Sequence, residues 1–278
     1  MCASFKRLDR SYYYRYWNIM DRIRSLTTIL GIWIVGTSTP LVVSVPSARS
    51  AVVWRSAAEY FEQGLDRIRN GDYEAAVSAF TQAIEAQPNL ASAYYNRARA
   101  LTELGEYQAA FDDYTQTLEL DPQRVAAYIN RGNIRSALGD RTGAIADFSQ
   151  ALELDPAEPD AYYNRAIDRF EQGDIEGAIE DYTQTVELEP NYAPAYLNRG
   201  VAWGRLDEPN KAIADFNRAL LVEPNYAEAY GNRGLANVSL GKRRDAISDL
   251  EKAAELFRAQ GRPDDAQLAL QIVERLRN

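Results

Sequence analysis

Five asparagines stand 34 residues apart, at Asn96, Asn130, Asn164, Asn198 and Asn232. Each carboxamide offers a hydrogen-bond donor and an acceptor, the complement of one peptide group. A row of them on one surface could hold an extended polypeptide by its backbone, whatever its side chains. The next residue is an arginine each time (Arg97, Arg131, Arg165, Arg199, Arg233), and sixteen residues further on stands an aspartate (Asp113, Asp147, Asp181, Asp215, Asp249). The arginines alone would suggest a stripe for anions. Their fixed companionship with carboxylates points instead to structural ion pairs.

Other chemistry is poorly supplied. The 278 residues include no histidine, which removes the commonest general base and imidazole metal ligand. The single cysteine, Cys2, provides neither a disulfide framework nor a thiolate metal site. No glycine-rich phosphate loop occurs. The carboxylate pairs Asp112–Asp113, Glu180–Asp181 and Asp264–Asp265 fall where solvated helix faces or helix starts are expected, not a catalytic dyad. We therefore expect no enzyme, metal or cofactor. Residues 51–278 carry 24 Lys or Arg against 38 Asp or Glu, a poor match for a phosphate backbone, so no nucleic-acid partner is expected.

The asparagines must be positioned by a repeated element. Pro88, Pro122, Pro156, Pro190 and Pro224 recur at the same 34-residue interval, which marks a small unit copied along the chain. Counting the proline as place 32 gives units at residues 57–90, 91–124, 125–158, 159–192, 193–226 and 227–260. Place 4 is always tyrosine (Tyr60, Tyr94, Tyr128, Tyr162, Tyr196, Tyr230) and place 20 always alanine. Place 8 is always small, and place 24 reads Phe80, Tyr114, Phe148, Tyr182, Phe216 and Leu250. Apolar residues at places 4, 8 and 11, then at 20, 21, 24, 27 and 28, have the spacing of two amphipathic helices. Gly71, Gly105, Gly139, Gly173 and Gly241 end the first helix, and the proline ends the second. Each unit is a helix–turn–helix hairpin that must stack on its neighbours to bury its apolar face.

Segments such as AYYNRARALTELGEYQAAFDDYTQTLELDP and AYINRGNIRSALGDRTGAIADFSQALELDP resemble the tetratricopeptide repeat (TPR) family. The resemblance covers residues 57–260 and implies an all-α fold: a right-handed superhelical solenoid of six hairpins with a C-terminal capping helix. Two departures stand out. Asp207 replaces the turn glycine of unit five, with Pro209 just beyond it, so that turn is expected to take another shape. Unit six has Arg258 in place of proline, so its second helix should run on to Gly261. A last helix from Pro263, with Ala269, Ile272, Val273 and Leu276 as its apolar stripe, reads as the cap over residues 261–278.

The resemblance further implies a concave groove lined by places 2, 5, 6, 9, 12 and 13 of each first helix. The candidate peptide-binding residues are then the five asparagines with Tyr95, Tyr163, Arg99, Asn133 and Phe170; Ile129, Ile167, Leu197, Val201, Leu235, Val238 and Arg205 border them. The arrays of O-linked N-acetylglucosamine transferases are similar, and hold polypeptide with such a ladder. The alternative is that each asparagine bonds within its own hairpin or to water. The carboxylate clamp of chaperone-binding relatives is absent, since Phe61, Leu65, Ala126 and Asn130 occupy its places. A protein or peptide partner is expected, bound by a scaffold, by an assembly factor for a membrane complex, or by neither if the array is a spacer or oligomeriser.

Residues 1–50 differ in kind. Lys6, Arg7, Arg10, Arg15, Arg22 and Arg24 precede an uncharged stretch that lasts to Arg49 and contains the apolar run Leu26–Gly36. This is the layout of an export signal, with cleavage plausible after Ser50, or of a retained signal anchor. A buried helix docked on the first unit is the alternative. Met20 offers a second start for a more compact signal. Residues 51–56 read as a linker, and the repeats are expected across a membrane from the N-terminus.

Overall fold

A computed structural model describes residues 57–278; the signal or anchor at 1–50 and the linker at 51–56 lie outside the described residues. Thirteen helices and no strand occur among those described. They pair as α1 (Ala57–Arg69) with α2 (Tyr73–Ala86), α3 (Ala91–Glu103) with α4 (Tyr107–Leu120), and α5 (Val125–Ala137) with α6 (Arg141–Leu154). Then follow α7 (Pro159–Gln172) with α8 (Ile175–Leu188), α9 (Ala193–Arg205) with α10 (Pro209–Val222), and α11 (Ala227–Ser239) with α12 (Arg243–Ala259). The last helix, α13 (Pro263–Arg277), packs on α12. Each second helix also packs against the first helix of the following unit, so the hairpins form a continuous solenoid.

The helices cross closely because the sequence removes side chains where they meet. The place-20 alanines Ala76, Ala110, Ala144, Ala178 and Ala246 are fully buried. At place 8 the fit is tighter still: a Cβ on Gly132 would lie 2.7 Å from the Phe148 ring, and one on Gly64 only 2.4 Å from Phe80. Phenylalanine at place 24 goes with glycine at place 8 in units one, three and five, whereas tyrosine goes with Ala98 and Ala166 in units two and four. The hairpins thus alternate in kind with a period of two.

The turn of unit five does not take another shape. Asp207 adopts φ 60°, alongside φ 88° at Gly139 and 90° at Gly173. Its N–H donates to Gly204 O at 3.2 Å, and the Glu208 N–H donates to Trp203 O at 3.0 Å. Gly139 and Asp140 make the same pair of bonds to Ser136 and Arg135. Aspartate tolerates the left-handed region better than most residues, and Pro209 at the first helical position needs no N–H donor. The extension of the sixth second helix is as expected, with Gly261 at φ 73° beyond it. Ala269, Ile272, Val273 and Leu276 of α13 are buried.

Because Asp207 retains a Cβ penalty that glycine lacks, Asp207→Gly is expected to raise stability by about 1 kcal/mol. Urea unfolding followed by circular dichroism would register the gain; a loss would show that the aspartate side chain stabilises the turn.

Candidate functional site

The arginine and aspartate columns form a staple repeated in five units. Arg97 donates from Nε and Nη2 to the two carboxylate oxygens of Asp113, both at 2.7 Å, and from Nη1 to Thr81 Oγ1 of the preceding unit at 3.0 Å. Arg131 repeats this with Asp147 and Thr115, Arg165 with Asp181 and Ser149, and Arg199 with Asp215 and Thr183. Arg233 does so with Asp249 and Asn217. Each guanidinium also lies 5.3–5.8 Å from the place-4 tyrosine ring of its own unit. The hydrogen bonds to Asp113 and Asp249 raise Arg97 and Arg233 above the usual arginine value against the opposing effect of burial. These arginines are therefore not available to an anionic ligand.

The same geometry corrects the reading of the carboxylate pairs. Asp113 and Asp181 are buried rather than solvated, because each faces its staple arginine. Asp265 is also buried and accepts from Arg262 Nε at 2.7 Å. A carboxylate removed from water survives there by being paired and fully hydrogen-bonded.

The asparagine ladder is divided by its tyrosine neighbours. Asn130 Nδ2 donates to Tyr95 Oη, and Asn198 Nδ2 donates to Tyr163 Oη, both at 3.1 Å across a unit boundary. Tyrosine stands at place 5 only in units two and four; Phe61, Ile129 and Leu197 occupy that place in units one, three and five. The asparagines that follow those apolar residues have no such acceptor. Asn96 turns back to Ser92 O at 2.8 Å, and Asn232 to Glu228 O at 2.9 Å. Asn164 alone of the five has no hydrogen-bond partner among the described residues and is half-buried.

Several expected groove residues are placed differently. Asn96 is buried, bonded to Ser92, and accepts a long 3.4 Å bond from Arg99. Phe170 is only 6% exposed, with the Arg205 guanidinium 5.9 Å from its ring centre, and belongs to the core rather than to an open pocket. Leu197 and Leu235 are likewise buried, Leu197 in an apolar cluster with Phe216 of its own hairpin and Ala229 of the next. Arg99 and Asn133 are exposed, while Tyr95 and Tyr163 are half-buried. The structure thus brings together Tyr95 with Asn130, and Tyr163 with Asn198 and the adjoining Asn164.

Place 34 contributes residues that helical periodicity did not reveal, since it lies in the loop between units. The Arg124 guanidinium stands 5.0 Å from the Tyr95 ring centre and pairs with Asp121 at 3.1 Å. Two units later Tyr192 takes the equivalent place, its ring 4.9 Å from that of Tyr163 and its hydroxyl donating to Asp160 at 3.5 Å. Burial pushes the phenols of Tyr163, Tyr192 and Tyr226 up, helped by the Tyr192 phenol at Tyr163 and by nearby carboxylates at Tyr192 and Tyr226, and burial takes Tyr114 to about 12. All remain protonated near neutrality. Tyr163 can accept from Asn198 and still donate to another group.

Comparison with known proteins agrees with this architecture. Family models described as tetratricopeptide repeat match residues 61–125, 193–226 and 227–260, and one described as TPR repeat matches 132–167 and 168–207. The chain belongs to the tetratricopeptide repeat family. No curated protein matches it. Among solved structures it is similar to YrrB, described as a TPR protein with an unusual peptide-binding site, at 26% identity and TM-score 0.60, over 70% of this chain and 99% of that one. It is also similar to MamA, at 24% identity and TM-score 0.58, over 62% of this chain and 94% of that one. A TPR protein from Parabacteroides merdae, at 19% identity and TM-score 0.62, covers 79% and 93% of the two chains.

Removing one staple carboxylate would leave a buried guanidinium without its counter-charge. Asp181 is bound by both Arg165 and Arg169, so Asp181→Ala is expected to cost about 3–5 kcal/mol. Chemical denaturation of the variant checks this; an unchanged midpoint would mean that the staple contributes no stability.

Proposed function

We propose that this protein is a non-catalytic scaffold that holds an extended polypeptide along the wall made by its first helices. The observation that carries the reading is the unit-spaced row of half-buried amides and phenols with bonding capacity left over. Asn130, Asn198 and Asn232 each retain one N–H and the carboxamide oxygen after their internal bonds, and Asn164 retains everything. The peptide-binding site named for YrrB, at 26% identity, supports the same use of the fold. A neutral hydrogen bond nets about 1 kcal/mol, so four such positions with one bond each supply about 4 kcal/mol, a roughly millimolar affinity, and side chains must add the rest.

Residues 1–50 serve in this reading as an export signal or a single anchor, on the strength of the basic flank and the uncharged stretch after it. Among the described residues no helix is long and apolar enough to cross a membrane. An assembly role at a membrane complex follows if the anchor is retained. N-terminal sequencing of the mature protein, with fractionation of the cells that make it, decides between the two. A mature chain that begins at Met1 and partitions with neither membrane nor exported fraction would overturn this part of the proposal.

A photo-crosslinking residue at position 164 or 133 is expected to capture polypeptide from a native extract, whereas one at 119 or 153, exposed on second helices, is not. Equal capture from both faces would refute the wall as the binding surface. Asn164→Ala should weaken the captured partner about five-fold with the unfolding midpoint unchanged, because that amide bonds to nothing in the fold. Asn198→Ala should also lower stability by about 1 kcal/mol through the loss of Tyr163.

A further inference from the structure

Unit four is where the wall is least self-sufficient. Asn164 has no internal partner. The Tyr182 side chain of the same unit is fully buried, and its hydroxyl has no hydrogen-bond partner. At the loop edge of the same unit, Asp155 and Glu158 from the end of unit three lie near Asp160 and Glu189 of unit four, and none of the four forms an ion pair among the described residues. The four are close enough to disturb one another: partial burial, then the charges of Asp160, Asp155 and Glu189, raise the Glu158 carboxyl above its usual range. Unit four carries two arginines against nine Asp or Glu, whereas residues 193–278 are nearly balanced, with thirteen cationic residues against twelve acidic. Both of its arginines are held by Asp181.

Unit two shows what the equivalent edge contains when it is neutralised. There Arg124 at place 34 covers the place-5 ring of Tyr95 and pairs with the place-31 carboxylate of Asp121. Unit four keeps the ring, Tyr163, and the carboxylate, Glu189, but has Tyr192 where unit two has its arginine. The tyrosine covers the ring without supplying charge, and its hydroxyl turns to Asp160. The aromatic and anionic surroundings of a cation are thus present without the cation.

We propose that the polypeptide held by the wall places a lysine or arginine side chain at unit four, bordered by Tyr163, Tyr192, Asp160, Glu158 and Glu189. This rests on the scaffold reading above and adds a charge requirement and a register to it. Aromatic faces and carboxylates together select a guanidinium or ammonium over a neutral isostere, and Asn164 beside them is free to bond the backbone of the residue that carries it. A basic segment is thereby drawn to the middle of the array, and an acidic one is repelled from it.

The test uses the full chain and two fluorescein-labelled twelve-residue peptides of Ser, Tyr and Leu, identical except that two arginines in one are citrullines in the other. Fluorescence anisotropy is expected to show the arginine peptide binding at least ten-fold more tightly at low salt. The Asp160→Asn/Glu189→Gln variant should bring that ratio near one while the citrulline peptide binds as before. The control variant Asp112→Asn/Glu119→Gln, with the same change in net charge on a second helix, should leave the ratio intact. Equal binding of the two peptides to the native protein overturns the cation site and leaves the scaffold standing; binding of neither overturns both. A control variant that lowers the ratio as much as the unit-four variant also overturns the site, because the preference would then be a property of overall charge.

Discussion

The arrangement depends on one contact made five times: an arginine at place 7 that grips the aspartate at place 23 with two nitrogens and reaches the preceding unit with a third. The first two bonds set how the helices of a hairpin lie against each other. The third sets how one hairpin lies on the last. Each charge is desolvated by this, which is costly, and the two-pronged geometry with a further hydroxyl or amide acceptor offsets that cost. Apolar burial alone would allow the hairpins to slide, since it has no direction. The staple supplies direction. The first unit, with Gln63 and Ala79 at these places, has none; at the other end Arg277 of the cap pairs with Glu251, the sixth unit's residue at the place of the third acceptor.

With the ion pairs committed to holding the stack, the wall of first helices is left mainly neutral polar and aromatic. That wall is not uniform. Tyrosine at place 5 in alternate units gives the following asparagine a partner, and an apolar residue there denies it one. A ladder that looks regular in sequence is therefore three things in space: amides bonded across a unit boundary, amides folded back on their own helix, and one amide unpaired. Uneven bonding of this kind makes a repeat array able to favour one register of a bound chain over another.

Negative charge is uneven in the same way. The staple neutralises the aspartates of the second helices, so the field along the edge comes from the carboxylates between units. In unit two an arginine offsets them, and in the last units several cations do. In unit four nothing in the described chain does. Unpaired Asn164, the packed, tilted rings of Tyr163 and Tyr192 and this excess of charge coincide at a single hairpin, although each arises from a different column of the repeat.

The 34-residue period of proline, glycine and small residues was sufficient to determine the hairpins, because those columns express backbone and steric requirements that act within one unit. Co-occurrence of Arg97 with Asp113, and of the later pairs, similarly revealed the ion pairs. What the sequence left undecided concerned contacts between units. Asn96 and Phe170 look inward by helical spacing, yet neighbouring chain covers them. Asn130 and Asn198 find tyrosines 35 residues away, a pairing that no single unit encodes. Asp207 departs from the turn pattern as a letter but not as a conformation, since its backbone can enter the left-handed region and Pro209 is harmless at a helix start. Tyr192 and Arg124, in loops outside any helical period, became part of the wall only through stacking. Local geometry follows from the residues that make it, whereas exposure and partnership depend on which neighbour the fold brings alongside.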